Sequence, residues 1–205
     1  MREQEKVQKR EIRREILAKR DGMTENERTR ASLILTERIL GHQWFYRSEI
    51  LLGFVNYGSE ISTMEILEEA LKSGKKLYVP KIVTVTENSD PDGESIVPKQ
   101  EMLFYRVKSL ADLTPGYKGI PEPDGTSEQF QYDASLAEKT LMLMPGVAFD
   151  MFRNRIGYGK GFYDRFLADK EELQLRTIGV GFKCQMVEEI PARENDIKPY
   201  QVIVV

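Results

Sequence analysis

The sequence predicts an α/β fold: a single domain, 1–205, built on an open, mostly parallel β-sheet with helices on both faces. Three observations predict it. Short apolar runs of strand length alternate along the chain with longer segments of helical pattern. The first two apolar runs flank a helical segment, and strands joined that way run parallel. The run at 139–146, "KTLMLMPG", is apolar at nearly every position, as in a strand covered on both sides. At 205 residues and 40 per cent apolar content, the chain fits one ordinary domain with a proper core.

The elements follow in order. Residues 3–20 are good helix formers with no Gly or Pro before Gly22. Thr24 with Glu27 three positions on is a capping box that opens a second helix reaching about Leu40. "EILLGFV" at 49–55 predicts a strand, followed by a turn at 56–59. Ser62 with Glu65 predicts another capping box, for a helix that stops at Gly74. "KKLYVP" at 75–80 predicts a strand ended by Pro80. Residues 87–100 have loop composition, and 101–107 predict a strand. "LTPGYKGIPEPDG" at 113–125 holds three prolines and three glycines, which predicts a loop of fixed shape. After the buried strand at 139–146 come a loop, a helix at 161–170, a strand at 176–182, a short helix at 184–190 and a closing strand at 200–205. No internal repeat or low-complexity linker interrupts this order.

Composition excludes several kinds of chemistry. A net charge of −3, with charged residues at 31 per cent, argues against a dedicated nucleic-acid binder. Cys184 is the only cysteine and His42 the only histidine. That leaves no disulfide within the chain, and it argues against a zinc site, a serine triad or a Cys-His dyad. Both residues are expected to be structural. The first twenty residues have no apolar core of a signal peptide, and no stretch reaches the length of a membrane span. A soluble cytoplasmic protein, with no membrane or nucleic-acid partner and acting as a monomer, is expected.

The chemistry concentrates in "NRIGYGKGFYDRF", residues 154–166, between the buried strand and a helix. Open α/β sheets place ligands at this kind of junction. Gly157, Gly159 and Gly161 leave no Cβ to block an approaching group, and successive N–H groups can point into one concavity. Arg153, Arg155 and Lys160 add positive charge, and the following helix adds its N-terminal end. The pattern is neither GxxxxGK[ST] nor GxGxxG, and read alone it is equally a surface turn. The flanking charges favour phosphate. Asp164 fits beside phosphate if a divalent cation lies between them, since magnesium sits on one or two carboxylates plus phosphate oxygens. As a plain alternative, Asp164 interacts with the dipole of its own helix. Lys9 and Arg13 share a helix face, and Arg13 has no acid at any helical neighbour, an arrangement that an external anion would relieve. From those residues alone a solvated basic face is the favoured reading.

"MPGVAFDMFRNRIGYGKGFYDRFL" strongly resembles the signature of 5-formyltetrahydrofolate cyclo-ligases, which runs close to PG-x-A/G-F-D…G-x-R-x-G-x-G-x-G-Y-Y-D-R. "KREIRREI", "GSEISTMEILEEALKSGKKLYVPK", "GIPEP" and "IPAREND" match in the family's order, so the resemblance spans almost the whole chain. It implies conversion of 5-formyltetrahydrofolate, which can be polyglutamylated, to 5,10-methenyltetrahydrofolate. ATP is cleaved to ADP and phosphate, with Mg²⁺ as cofactor and a phosphorylated formyl intermediate. It implies an ATP site made of Lys9, Arg10, Arg13, Arg155, Gly157, Tyr158, Gly159, Lys160, Gly161 and Phe162. It implies folate contacts from Val55, Glu60, Tyr117, Glu122 and Tyr163, a metal site at Asp164 and Asp196, and catalytic roles for Arg155, Lys160 and Tyr163. Read from the residues, Glu60 is also an acid before a helix N-terminus, and Asp196 also belongs to a turn before the last strand. Two departures stand out. Phe162 replaces the first tyrosine of Tyr-Tyr-Asp, and no glycine precedes the arginine of G-x-R, so Asn154 is expected in the left-handed conformation there. Two other readings fit the residues: an ATP-using relative acting on another formamide or carboxylate, and a nucleotide- or RNA-binding protein on the same fold.

Overall fold

The computed structural model describes residues 2–88, 96–193 and 195–205. The chain opens with α1 (Arg2–Asp21) and α2 (Glu25–Leu40). The expected capping box forms: Glu27 N–H donates to Thr24 Oγ1, and Thr24 N–H to Glu27 Oε2. A short helix, α3 (Gln43–Arg47), follows that the sequence had not announced. His42 supplies its cap, accepting from Trp44 N–H on Nδ1 at 3.1 Å, so the one histidine is structural. Cys184 is a half-buried free thiol against the Met23 sulfur.

The strand β1 is only Ile50–Leu52, shorter than the apolar run that predicts it, because the chain leaves the sheet at Gly53. Helix α4 (Met64–Lys72) begins without the expected Ser62–Glu65 capping box. Its N-cap is Thr63, fully buried, whose hydroxyl donates to the Phe54 carbonyl left over where β1 ends. β2 (Lys76–Asn88) runs straight through Pro80. Pairing with β1 ends at Tyr78, and a proline is tolerated where a strand has a neighbour on one side only. β3 (Ile96–Val107) returns antiparallel along the whole of β2. Residues 96–100, expected in a loop, therefore belong to a strand, as do 87 and 88, and 89–95 of that loop lie outside the described residues. The Pro/Gly-rich segment is held by a small antiparallel pair, β4 (Thr114–Pro115) and β5 (Pro121–Glu122).

β6 (Thr140–Pro145) is buried throughout except at its last residue. A second small antiparallel pair, β7 (Ala148–Phe149) and β8 (Arg155–Ile156), shapes what the sequence left as loop. Next come α5 (Phe162–Leu167), α6 (Glu171–Gln174), β9 (Thr177–Gly181) and β10 (Gln201–Val204). The helix expected at 184–190 is absent; only a 3₁₀ turn at Lys183–Gln185 forms. Gln185 explains this. Its buried amide donates to Gly146 O and Val147 O and accepts from Phe182 N–H, which ties the chain down before a helix can propagate.

The main sheet has the order β10-β9-β6-β1-β2-β3, parallel except for the β2–β3 pair. Side chains alternate across it as strand geometry requires. Leu51, Leu77, Val79, Leu141, Leu143, Ile178 and Val180 pack toward α2 and α4. Ile50, Leu52, Tyr78, Met142 and Met144 pack toward Leu167 of α5 and Leu173 of α6. Both faces are covered, the predicted architecture. α1 anchors through Ile16, 1 % exposed, against Val147, Ala148, Ile156 and Ile190. Burying such a side chain contributes roughly 1.5–3 kcal/mol. β1 has β2 on one side and β6 on the other, so the sheet's switch point lies at their carboxyl ends.

Candidate active site

At that switch point opens a cleft of about 650 Å³. Its floor comes from the chain leaving β1 (Phe54, Val55) and β6 (Pro145, Gly146), one wall from α1, another from the glycine loop. Every residue that the resemblance assigns to the ATP, folate and metal sites lines it; Arg153, expected to add charge there, does not. Lys9, Arg10 and Arg13 come from α1; Val55 and Glu60 follow β1; Tyr117 and Glu122 come from the β4–β5 hairpin. Arg155 to Asp164 come from the glycine loop and α5, and Asp196 precedes β10.

The glycine loop has the conformation its residues foretell. Gly159 (φ 96°) and Gly161 (φ 64°) occupy the left-handed region, where other residues are strained. Arg13 Nε donates to Gly157 O at 2.8 Å, so the first helix is fastened directly to the loop. Lys160 is exposed at the cleft mouth. α5 is only six residues long and starts from left-handed Gly161, so the helix end is a smaller feature than expected. Arg153 departs from expectation twice. It, not Asn154, takes the left-handed conformation (φ 65°), and its guanidinium turns away from the cleft to Tyr200 O at 2.6 Å. Buried Asp150 forces this turn by accepting from Phe152 N–H, Asn154 N–H and the Asn154 amide.

The two acids lie together beside the cations. Asp164 Oδ1 accepts from Ile197 N–H at 3.1 Å, which brings α5 against the segment carrying Asp196. Arg155 Nη2 lies 3.3 Å from Asp164 Oδ1, and Lys9 forms an ion pair with Asp196. Among the described residues, the second oxygen of each carboxylate has no hydrogen-bond partner. Among the described residues, no group of three or more His, Cys, Asp or Glu is placed to hold a metal, so a cation here would need oxygens from elsewhere, such as phosphate.

On the other side the cleft is apolar and acidic by turns. Glu60 is 9 % exposed; its Oε2 accepts from Tyr57 N–H at 2.8 Å. Burial pushes its carboxyl above the usual range, opposed by the Tyr57 N–H, the Arg20 charge and the Tyr158 hydroxyl. Burial, with the charge of Glu60, pushes the Tyr158 hydroxyl up to about 12. Burial likewise raises Tyr163, over whose ring the Arg155 guanidinium lies at 5.4 Å. Both phenols therefore stay protonated at neutral pH. Phe162 stands edge-on to Tyr117 and under the Arg165 guanidinium, so its position uses the ring. Glu122 is buried and 3.8 Å from Lys81, turned into its own hairpin against Gly116 more than into open space.

Lining residues that had not been singled out include Lys6, Phe54, Tyr57, Lys118 and Arg193. Arg20 also went unremarked, although it continues the Lys9, Arg13, Ile16 face at helical spacing. That periodicity was the available signal.

Comparison with known proteins agrees with this geometry. Residues 5–205 match the model of the 5-formyltetrahydrofolate cyclo-ligase family. The chain is 28 % identical to the mouse 5-formyltetrahydrofolate cyclo-ligase, covering 95 % of this chain and 92 % of that one. It is 27 % identical to the Haemophilus influenzae cyclo-ligase, covering 97 % and 98 %. Among solved structures, Aquifex aeolicus 5,10-methenyltetrahydrofolate synthetase superposes with a TM-score of 0.74 at 30 % identity, over 96 % of this chain and 89 % of that one. The Mycoplasma pneumoniae synthetase, at 19 % identity and a TM-score of 0.66, covering 95 % and 97 %, shares the fold. The chain belongs to the 5-formyltetrahydrofolate cyclo-ligase family.

Proposed function

We propose that the protein converts 5-formyltetrahydrofolate and ATP to 5,10-methenyltetrahydrofolate, ADP and phosphate in this cleft. One observation carries the reading: the Arg13–Gly157 bond joins a basic helix to the glycine loop along one wall, while buried Glu60 and an apolar floor face them. The polyphosphate lies along the loop, held by Lys9, Arg10, Arg13 and Lys160. The pterin lies toward Val55, Tyr117 and Tyr163, and Glu60 accepts from its adjacent N–H groups.

The chemistry needs positioning and charge neutralisation more than an acid–base group. Amide resonance makes the formyl carbon a poor electrophile. Its oxygen attacks the γ-phosphorus and ADP leaves, which makes that oxygen part of a good leaving group. N10 then attacks the formyl carbon, the C–O bond breaks, and phosphate departs with the formyl oxygen and the N10 proton. Arg155 and Lys160 balance the charge developing on the transferred phosphoryl group. The donor set suits Mg²⁺: Asp164 and Asp196 would hold it, each through the oxygen not already bonded, with phosphate oxygens completing the shell. When bound, the ion neutralises charge on the phosphates. Glu122, turned into its hairpin, is a shaping residue in this reading.

The test is direct. Folded protein given 5-formyltetrahydrofolate, ATP and Mg²⁺ is expected to produce the near-ultraviolet absorbance of the methenyl product, with one ADP per turnover. Tight ATP binding without that absorbance would mean another formamide or carboxylate substrate. Weak ATP binding with salt-sensitive RNA binding would mean a nucleic-acid binder.

A further inference from the structure

Arg20 sits at the end of α1, far along the helix from Lys9 and Arg13, and is only 2 % exposed. Its Nε donates to Ser59 Oγ at 2.9 Å and its Nη2 to the Tyr158 hydroxyl at 2.7 Å. Ser59 belongs to the turn that presents Glu60, and its hydroxyl is fixed in turn by Asp21. Tyr158 belongs to the glycine loop, and its ring stands edge-on to Tyr57 at 6.1 Å. One guanidinium thus fastens the helix, the Glu60 turn and the glycine loop together. Arg20 and Glu60 also line one small internal space with Phe54, Pro145 and Gln185.

This arrangement makes little sense as a stabilising device. Nη1 is buried with no partner among the described residues. A buried cation with an unsatisfied donor is costly, and apolar side chains of similar volume would serve the fold at least as well. Among the described residues, Arg20 is the one cation whose charge acts on Glu60. The groups facing Glu60 are Arg20 from α1, Tyr158 from the glycine loop and Tyr163 from α5, with Tyr57 on its own segment.

We infer that Arg20 is a positioning residue for the folate-side carboxylate: through Ser59 and Tyr158 it fixes the Glu60 turn, and its charge keeps Glu60 in the form that accepts from the pterin. The inference rests on the folate reading of the cleft given above. Burial raises the Glu60 carboxyl and Arg20 opposes that rise, so removing Arg20 lets Glu60 take up a proton at a higher pH than in the wild type.

The experiment compares wild type, Arg20→Met and Tyr158→Phe by the methenyl absorbance assay across pH 5.5 to 8.5, after circular dichroism has established folding. In Arg20→Met, the KM for 5-formyltetrahydrofolate is expected to rise roughly ten- to hundredfold, the range for losing a charge-assisted contact. The KM for ATP is expected to change far less, and the acid limb of kcat/KM for folate to move to higher pH. In Tyr158→Phe, which keeps the ring and drops only the hydroxyl, the same limb moves the same way; this variant decides if Arg20→Met does not fold. Parallel increases in both KM values with an unmoved limb would overturn the inference and leave Arg20 a packing residue. A wild type that makes no methenyl product would instead overturn the function reading itself.

Discussion

At the residue scale, Glu60 shows how function and stability pull apart. Its carboxyl is raised above 4.5 by burial. Below that value both folded and unfolded chains hold the proton, and the site adds no penalty. As pH rises from there toward the folded value, the unfolded chain releases its proton first, so the folded state loses ground. Glu60→Gln is therefore expected to raise the melting temperature at pH 7 to 8, with the gain shrinking as pH approaches 4.5, while folate turnover falls. Thermal melts at several pH values check this; a gain that grows toward acid pH would contradict it. Arg153 is a second residue-scale lesson. It stands where the family's pattern has glycine and takes the φ that glycine would adopt, so the backbone demand persisted after the residue changed. The sequence expectation of Asn154 in that role missed the control by Asp150, whose carboxylate gathers three donors from the turn.

At the element scale, α1 carries more than its helical pattern announces. Its face bears Lys9, Arg13, Ile16 and Arg20, and each meets a different partner: Asp196, the glycine loop, the β7–β8 pair and the Glu60 turn. Arg13→Ala is expected to raise the KM for ATP roughly ten- to hundredfold, as losing a charge-assisted hydrogen bond would. The KM for folate should change by much less. Steady-state kinetics with each substrate varied decide the point, and equal effects on both would reduce the helix to packing. The local signals here were legible because they are local: the Thr24–Glu27 box forms from residues three apart. The Ser62–Glu65 box carries the same signal and fails, because Ser62 N–H donates to Ser32 Oγ, its hydroxyl accepts from Met64 N–H, and the helix starts one residue later from Thr63. Arg20 was silent for a similar reason, since its partners Ser59 and Tyr158 are 39 and 138 residues away.

At the scale of the whole molecule, the alternation of apolar runs and helices was enough to foretell a mostly parallel sheet covered on both faces. It did not foretell how far β2 and β3 extend. Pro80 and Pro98 punctuate them in sequence, yet the antiparallel pairing carries both strands past those residues. The candidate site's residues were named chiefly through the family resemblance of a few short segments, and the switch point gathers those segments into one cleft. That gathering has a chemical consequence: a terminal phosphoryl group on the glycine loop would face a formyl oxygen held from the Glu60 side. The most direct measurement gives the enzyme 5-formyltetrahydrofolate labelled with ¹⁸O in the formyl group, together with ATP and Mg²⁺, and examines the released phosphate by ³¹P NMR. One ¹⁸O in each phosphate is the predicted result; methenyl product formed with unlabelled phosphate would contradict the account.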